Sequence, residues 1–97
     1  MRPNMALVKA WAKKHGISGK IEESERKNKK LKVMHDGRWI HFGHPDYEDF
    51  TIHRDPARQR AYCKRAAGIR GKDGRFTGND PGSANFYAMR LLWDCVP

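Results

Sequence analysis

The chain has 97 residues, with 20 Lys and Arg against 11 Asp and Glu, for a formal charge of +9. That length holds one domain and leaves no room for a kinase, a dehydrogenase or a two-domain enzyme. The charge points to an anionic partner: nucleic acid, an acidic protein surface or an anionic membrane face.

In chain order, residues 5–15 form the first predicted helix. Leu7, Val8, Trp11, Ala12 and His15 recur at helical spacing, with Asn4 as N-cap and Gly16 as the stop. Residues 17–29 read as a polar connector without a period. A β-hairpin is predicted over 30–43, because Asp36-Gly37 suits the positive φ angles of a two-residue type I′ turn. That turn pairs Leu31 with Phe42 and Val33 with Ile40, which places all four on one face. The other face then carries Lys30, Lys32, Met34, Trp39 and His41, and the first helix is expected to cover Met34 and Trp39 with Leu7 and Trp11. Asp55 followed by Pro56 starts a helix over 56–67, closed by Gly68. Residues 68–82 hold five glycines and a proline and read as a long loop with a turn at Asp73-Gly74. Ser83 caps a last helix over 84–95. Phe86, Met89, Leu92, Trp93 and Val96 share one face, and Tyr87, Ala88 and Leu91 fill much of the rest. A helix that apolar must be covered, by its own domain or by a partner.

The predicted fold class is α+β, a single small domain over 1–97. Residues 1–29 supply the basic helix and connector, and 30–97 the hairpin and two helices. The hairpin's apolar face packs on the last helix, since a lone hairpin is not stable. Charge runs basic, acidic, basic: +7 over 1–32, −3 over 33–53 and +5 over 54–97. The stretch from His44 to Phe50 can therefore neutralise part of the basic surface internally. No run of about 18 apolar residues exists to span a membrane, and the first residues lack the apolar stretch and cleavage site of a secretory leader. Two cysteines, Cys63 and Cys95, are too few for a disulfide scaffold, so a reducing compartment is expected. Spacing leaves open whether they meet.

Several motifs fall short of the chemistry they suggest. His53-Arg54-Asp55 matches a kinase catalytic-loop tripeptide, but Arg60 stands where that loop needs Asn, and Asp55-Pro56 is better read as a helix cap. Gly71-Lys72 lacks the flanking Gly and Ser/Thr of a phosphate-binding loop, since Ala66 and Asp73 occupy those places. His41, His44, His53 and Cys63 have zinc-compatible side chains without the two close ligand pairs of a structural site. His41 or His44 with Asp46 and Glu48 offers the residue types of a metal-dependent nuclease at undiagnostic spacing. No catalytic, cofactor or metal site is assigned.

The most substantive constellation interleaves cations with aromatics. Lys30, Lys32, Trp39 and His41 lie on the hairpin, and Arg58, Arg60, Tyr62, Lys64 and Arg65 on the second helix. Arg70, Lys72 and Arg75 lie on the glycine-rich loop. Lys and Arg neutralise phosphates, and an exposed aromatic ring stacks on a base.

His41-Phe42-Gly43-His44, Asp46-Tyr47-Glu48-Asp49-Phe50, the run from His53 to Tyr62 and the run from Asn85 to Trp93 follow one another in a particular order. In this order the chain resembles a family of small, mostly uncharacterised proteins of large double-stranded DNA viruses and tailed phages. The shared features are an Ile-His-Phe-Gly strand, an H-x-D-x-x-R helix start and a closing Leu-Leu-Trp, over roughly residues 8–93. The 68–82 loop is longer here than in that family. The resemblance implies a viral or phage origin, and it lends no catalytic residue.

Together these readings favour a non-enzymatic virion protein, a minor capsid or cement component. It would dock on larger virion proteins through its basic surface and the spare face of its last helix. Its location would be the virion, and the infected cell during assembly. The alternative is a nucleic-acid-binding protein, with DNA or RNA tracked by the hairpin and second helix. A small metal-dependent nuclease is the third reading.

Overall fold

Asp36 and Gly37 take φ of +49° and +79°, the left-handed pair that a type I′ turn requires. The computed structural model, which describes residues 2–95, shows the register that this turn dictates. Strand β2 (Leu31–His35) pairs antiparallel with β3 (Arg38–Phe42), Leu31 opposite Phe42 and Val33 opposite Ile40. A third strand, β1 (Ile21–Glu23), pairs with β2 inside the segment expected to be a connector. Three residues are too few to show a period of two. Its pairing sets Ile21 opposite Val33 and Glu22 opposite Lys32, an apolar pair and a charge pair that support the ladder.

Leu31, Val33, Ile40 and Phe42 form one wall of the core. Against them pack Val8 and Ala12 of α1 (Met5–Lys14), together with Tyr87, Ala88, Leu91 and Leu92. The expectation that α1 covers the opposite sheet face is corrected here. Val8 and Ala12 sit one turn apart and face the same core as the last helix, while Trp11 stacks on Phe50 at 5.8 Å. The opposite sheet face carries Lys32 and His41, which an apolar helix stripe would desolvate at a cost. Asn4 caps α1 by accepting from the Leu7 N–H at 3.2 Å, and Gly16 turns the chain away at φ +71°.

After β3 the chain forms a single turn, α2 (Phe50–His53), and then α3 (Pro56–Ala67). Asp55 caps α3 by accepting from Ala57 and Arg58 N–H, as the Asp-Pro pair predicts. The 68–82 segment is more ordered than a loop. Gly71 N–H donates to the Arg75 carbonyl at 2.9 Å, Arg70 bridges Phe76, and Thr77–Asn79 makes one 3-10 turn. Asn85 Nδ2 ties it to the helices through the Ala66 carbonyl and Thr77 Oγ1.

The last helix differs from its prediction. Ser83 caps it, but α4 (Ala84–Tyr87) passes into a π-helical turn over Ala88–Leu92 and ends there. Residue 95 is therefore not helical, and Val96 lies outside the described residues. The wider turn changes which side chains share a face: Tyr87, Ala88, Leu91 and Leu92 meet the sheet, and Met89 points to a second cluster with Ala66 and Cys95. Tyr62 stacks on Trp93 at 4.1 Å. The face expected to be spare is thus covered by α3, because the domain itself buries it.

A clasp follows this turn. Cys63 is bonded to Cys95, with Cα atoms 5.7 Å apart, a crosslink that the spacing leaves open and that a reducing compartment would not favour. Gln59 Nε2 donates to the Trp93 and Asp94 carbonyls, and Asp94 meets Lys14 at 3.0 Å and His15 at 2.7 Å. Among the described residues, no helix is long and apolar enough to cross a membrane. Opening a crosslink between residues 32 apart costs about 3–4 kcal/mol through the entropy of the unfolded chain. Replacing both cysteines by serine should lower stability by that amount, measured by urea unfolding under non-reducing conditions. Wild type in reductant should match the double mutant.

Candidate nucleic-acid interface

Lys30 was expected on an exposed hairpin face. Instead its Nζ donates to Asp49 Oδ2 at 2.7 Å and to the Tyr47 carbonyl, with both charged groups buried. Lys30 lies just before β2, where the strand alternation does not hold, and Gly43 (φ +80°), just after β3, brings the backbone so close that a Cβ there would meet Leu92 at 2.7 Å. Asp49 Oδ1 accepts from the Thr51 N–H at 2.9 Å and from its hydroxyl. Thr51 Oγ1 in turn accepts from the Asn4 N–H at 2.9 Å. This polar relay links sheet, α2 and α1, and Lys30 is removed from the set of phosphate contacts.

The other hairpin candidates cluster on the sheet's outer face. Lys32 Nζ lies 4.4 Å from the Trp39 ring centroid and 3.0 Å from Glu25, so Trp39 is half-buried under a cation. His41 is buried and is corrected from contact residue to structural residue. Its Nδ1 shares a hydrogen with Ser24 Oγ at 2.7 Å. Burial holds its pKa below the ordinary 6.5, reinforced by Arg26, Lys32 and Lys29 and opposed by Glu25.

The histidines and Cys63 do not assemble. Cys63 is in the crosslink, and His53 Nδ1 accepts from the Asp55 N–H at 2.9 Å with its ring against Trp93. His44 sits in the loop after β3, where its Nδ1 accepts from the Asp46 N–H and Glu48 is held by Arg58 at 3.0 Å. No three His, Cys, Asp or Glu residues come together as a metal site among the described residues.

On α3, Arg60, Lys64 and Arg65 are exposed, while Arg58 is paired with Glu48. On the loop, Arg70 donates to the Gly74 carbonyl and stacks on Phe76, and Arg75 faces Asp73 at 3.9 Å. Lys72 is exposed. Most acidic side chains are engaged by cations or by helix and turn N–H groups, while Asp36 and Asp46 are exposed with only a histidine beside them. The cations are not. Among the described residues, no ion pair, side-chain hydrogen bond or ring contact holds Arg60, Lys64, Arg65 or Lys72. The same is true of Arg26, Lys27 and Lys29 in the β1–β2 connection, of Arg38, and of Lys9 and Lys13 on α1.

Between the 43–49 loop and α3 lies a cleft of about 470 Å³. Arg58, Ala61, Tyr62 and Arg65 line one side, at the i, i+3, i+4, i+7 spacing of one helix face. His44, Tyr47 and Glu48 line the other, and Ala88, Leu92 and Trp93 the floor. Tyr47 is 69% exposed, with its ring 4.9 Å from that of His44. Burial raises the Tyr62 phenol above its usual pKa, with Arg65 opposing. Sequence reasoning passed over Tyr47 because a tyrosine between acids reads as solvated loop.

Residues 19–66 match the model of a family of unknown function (DUF5754). The match spans the sheet, the 43–49 loop, α2 and nearly all of α3, so it includes both side walls of the cleft and leaves out its floor and Cys95. No curated protein and no solved structure matches the chain.

Two outcomes follow from these environments. Lys30→Met or Asp49→Asn alone strands a buried charge or a buried polar partner, and should cost about 3–5 kcal/mol in urea unfolding. The double replacement should recover most of that loss, and Asn at 49 keeps the cap. For His41, a folded pKa below the unfolded 6.5 means that the unfolded chain binds more protons in that window. Its contribution to stability is complete above about pH 6.5 and is lost as pH falls through the lowered folded value. His41→Gln should flatten this part of the stability–pH curve.

Proposed function

We propose that the chain is a non-enzymatic nucleic-acid-binding module, with Arg60, Lys64 and Arg65 of α3 as its main phosphate contacts. The β1–β2 connection supplies a second cluster, Arg26, Lys27 and Lys29. One observation carries this reading: the fold engages most of its acids internally and, among the described residues, leaves half of its Lys and Arg side chains without a partner, three of the open ones on one helix. Such cations bind phosphates and release condensed counterions. The exposed alanines on the same helix, Ala57, Ala61 and Ala67, keep its surface shallow enough for a backbone to approach.

A second reading has its own support. Ile69 and Phe76 are 50% and 39% exposed at the base of the Arg70–Phe76 hairpin, an apolar spot suited to docking on a larger protein. In that reading the chain is a minor capsid or cement component of a virion, as its resemblance to viral and phage proteins implies. The docking face moves from the last helix, which is covered, to this hairpin.

Salt separates the two. Affinity for a short duplex should fall with salt at a slope of about −0.9 per phosphate contact. Arg60→Gln with Lys64→Gln should make that slope shallower by about 2. Ile69→Ser with Phe76→Ser should leave it unchanged. Undetectable binding at low salt would overturn the nucleic-acid reading.

A further inference from the structure

Most of the charges that line the cleft beside α3 are already paired within the fold. Lys30 with Asp49 and Arg58 with Glu48 are closed pairs in its walls, and Arg65 is the one lining cation without a partner among the described residues. A cleft so neutralised suits a ligand with a single anionic group. Its volume, about 470 Å³, falls in the range of pockets that take small ligands, ~300–1,000 Å³.

The opposite wall supplies a ring. Tyr47 is the most exposed large hydrophobic side chain among the described residues, yet its backbone is fixed: its carbonyl accepts from the buried Lys30 Nζ and its N–H donates to the His44 carbonyl at 3.2 Å. His44 supports the ring from the side. An aromatic side chain on an anchored backbone, beside a cleft with an apolar floor, is a stacking platform.

The geometry points to this cleft as the pocket for one nucleotide unit of a single strand, its base stacked on Tyr47 and its phosphate on Arg65. This inference rests on the nucleic-acid function proposed above and gives it a substrate class. A duplex keeps its base faces stacked on one another and cannot offer one to Tyr47, whereas a single strand can splay a base at little cost. Arg60 and Lys64 on α3 then meet flanking phosphates in either form.

The test uses the full chain and a fluorescent 12-nucleotide strand, free or annealed to its complement. Tyr47→Ala should weaken single-strand binding about tenfold, the order that one base–aromatic stack contributes. It should leave duplex binding within about twofold, and Tyr47→Phe should restore the loss. Arg60→Gln with Lys64→Gln should weaken both forms alike. A nucleoside monophosphate should displace the strand at lower concentration than inorganic phosphate does. If Tyr47→Ala weakens both forms equally or neither, or if phosphate competes as well as the mononucleotide, the pocket is overturned and the nucleic-acid reading survives. If the wild type binds neither form at low salt, both fall. Thermal unfolding of each variant shows whether it is folded, and Tyr47, being exposed, should leave the midpoint unmoved.

Discussion

The Lys30–Asp49 ion pair is the interaction on which the rest of the architecture depends. Its lysine immediately precedes the first long strand of the sheet, and its carboxylate caps α2. Through Thr51 the same carboxylate reaches the backbone that starts α1. A buried pair gains little against an apolar substitute, because desolvation offsets most of the attraction. Its value here is one of position. Each remaining hydrogen-bonding atom of Asp49 has a specific donor, so the 43–49 loop can close in only one place, and the cleft takes its shape from that closure.

Around this relay the charges of the chain divide into those that build and those that remain. Glu48, Asp49 and Asp94 each join elements far apart in sequence: loop to α3, loop to sheet, and last turn to α1. Half of the acids in the middle of the sequence, Glu48 and Asp49, are thus spent on architecture, while Asp36 and Asp46 stay exposed. What solvent meets is a narrower set of cations than the composition suggests, concentrated on α3 and the β1–β2 connection. Lys30, Lys32 and Arg58 count towards the net charge but are held by carboxylates. This division is why the proposed binding surface lies on a helix and not on the hairpin, where cations and aromatics alternate in sequence.

Local chemistry was legible in the sequence, and long-range placement was not. The Asp36-Gly37 turn, the Asp55 and Ser83 caps and the hairpin register all follow from neighbouring residues, and they stand in the structure as predicted. Strand β1 was hidden by its length. The side of the sheet taken by α1 was ambiguous because Val8 with Ala12 and Leu7 with Trp11 are both apolar pairs at helical spacing. Lys30 looked exposed because its partner lies 19 residues on, and no local pattern reports that. The π turn at Ala88–Leu92 shifts the side chains of Trp93, Asp94 and Cys95 that follow it, which is how a face expected to be free became the floor of the cleft and the seat of Cys95. Nothing in a spacing of 32 residues announces that two cysteines meet. The cleft was illegible for the same reason, since its walls come from three separated segments.

The most direct measurement is a two-dimensional amide NMR titration of the full chain with a short single-stranded oligonucleotide at low salt. Shifts are expected at His44, Tyr47, Arg60, Lys64 and Arg65, with the Ile69 to Phe76 hairpin unmoved. Shifts confined to that hairpin, or none at all, would contradict the proposed interface.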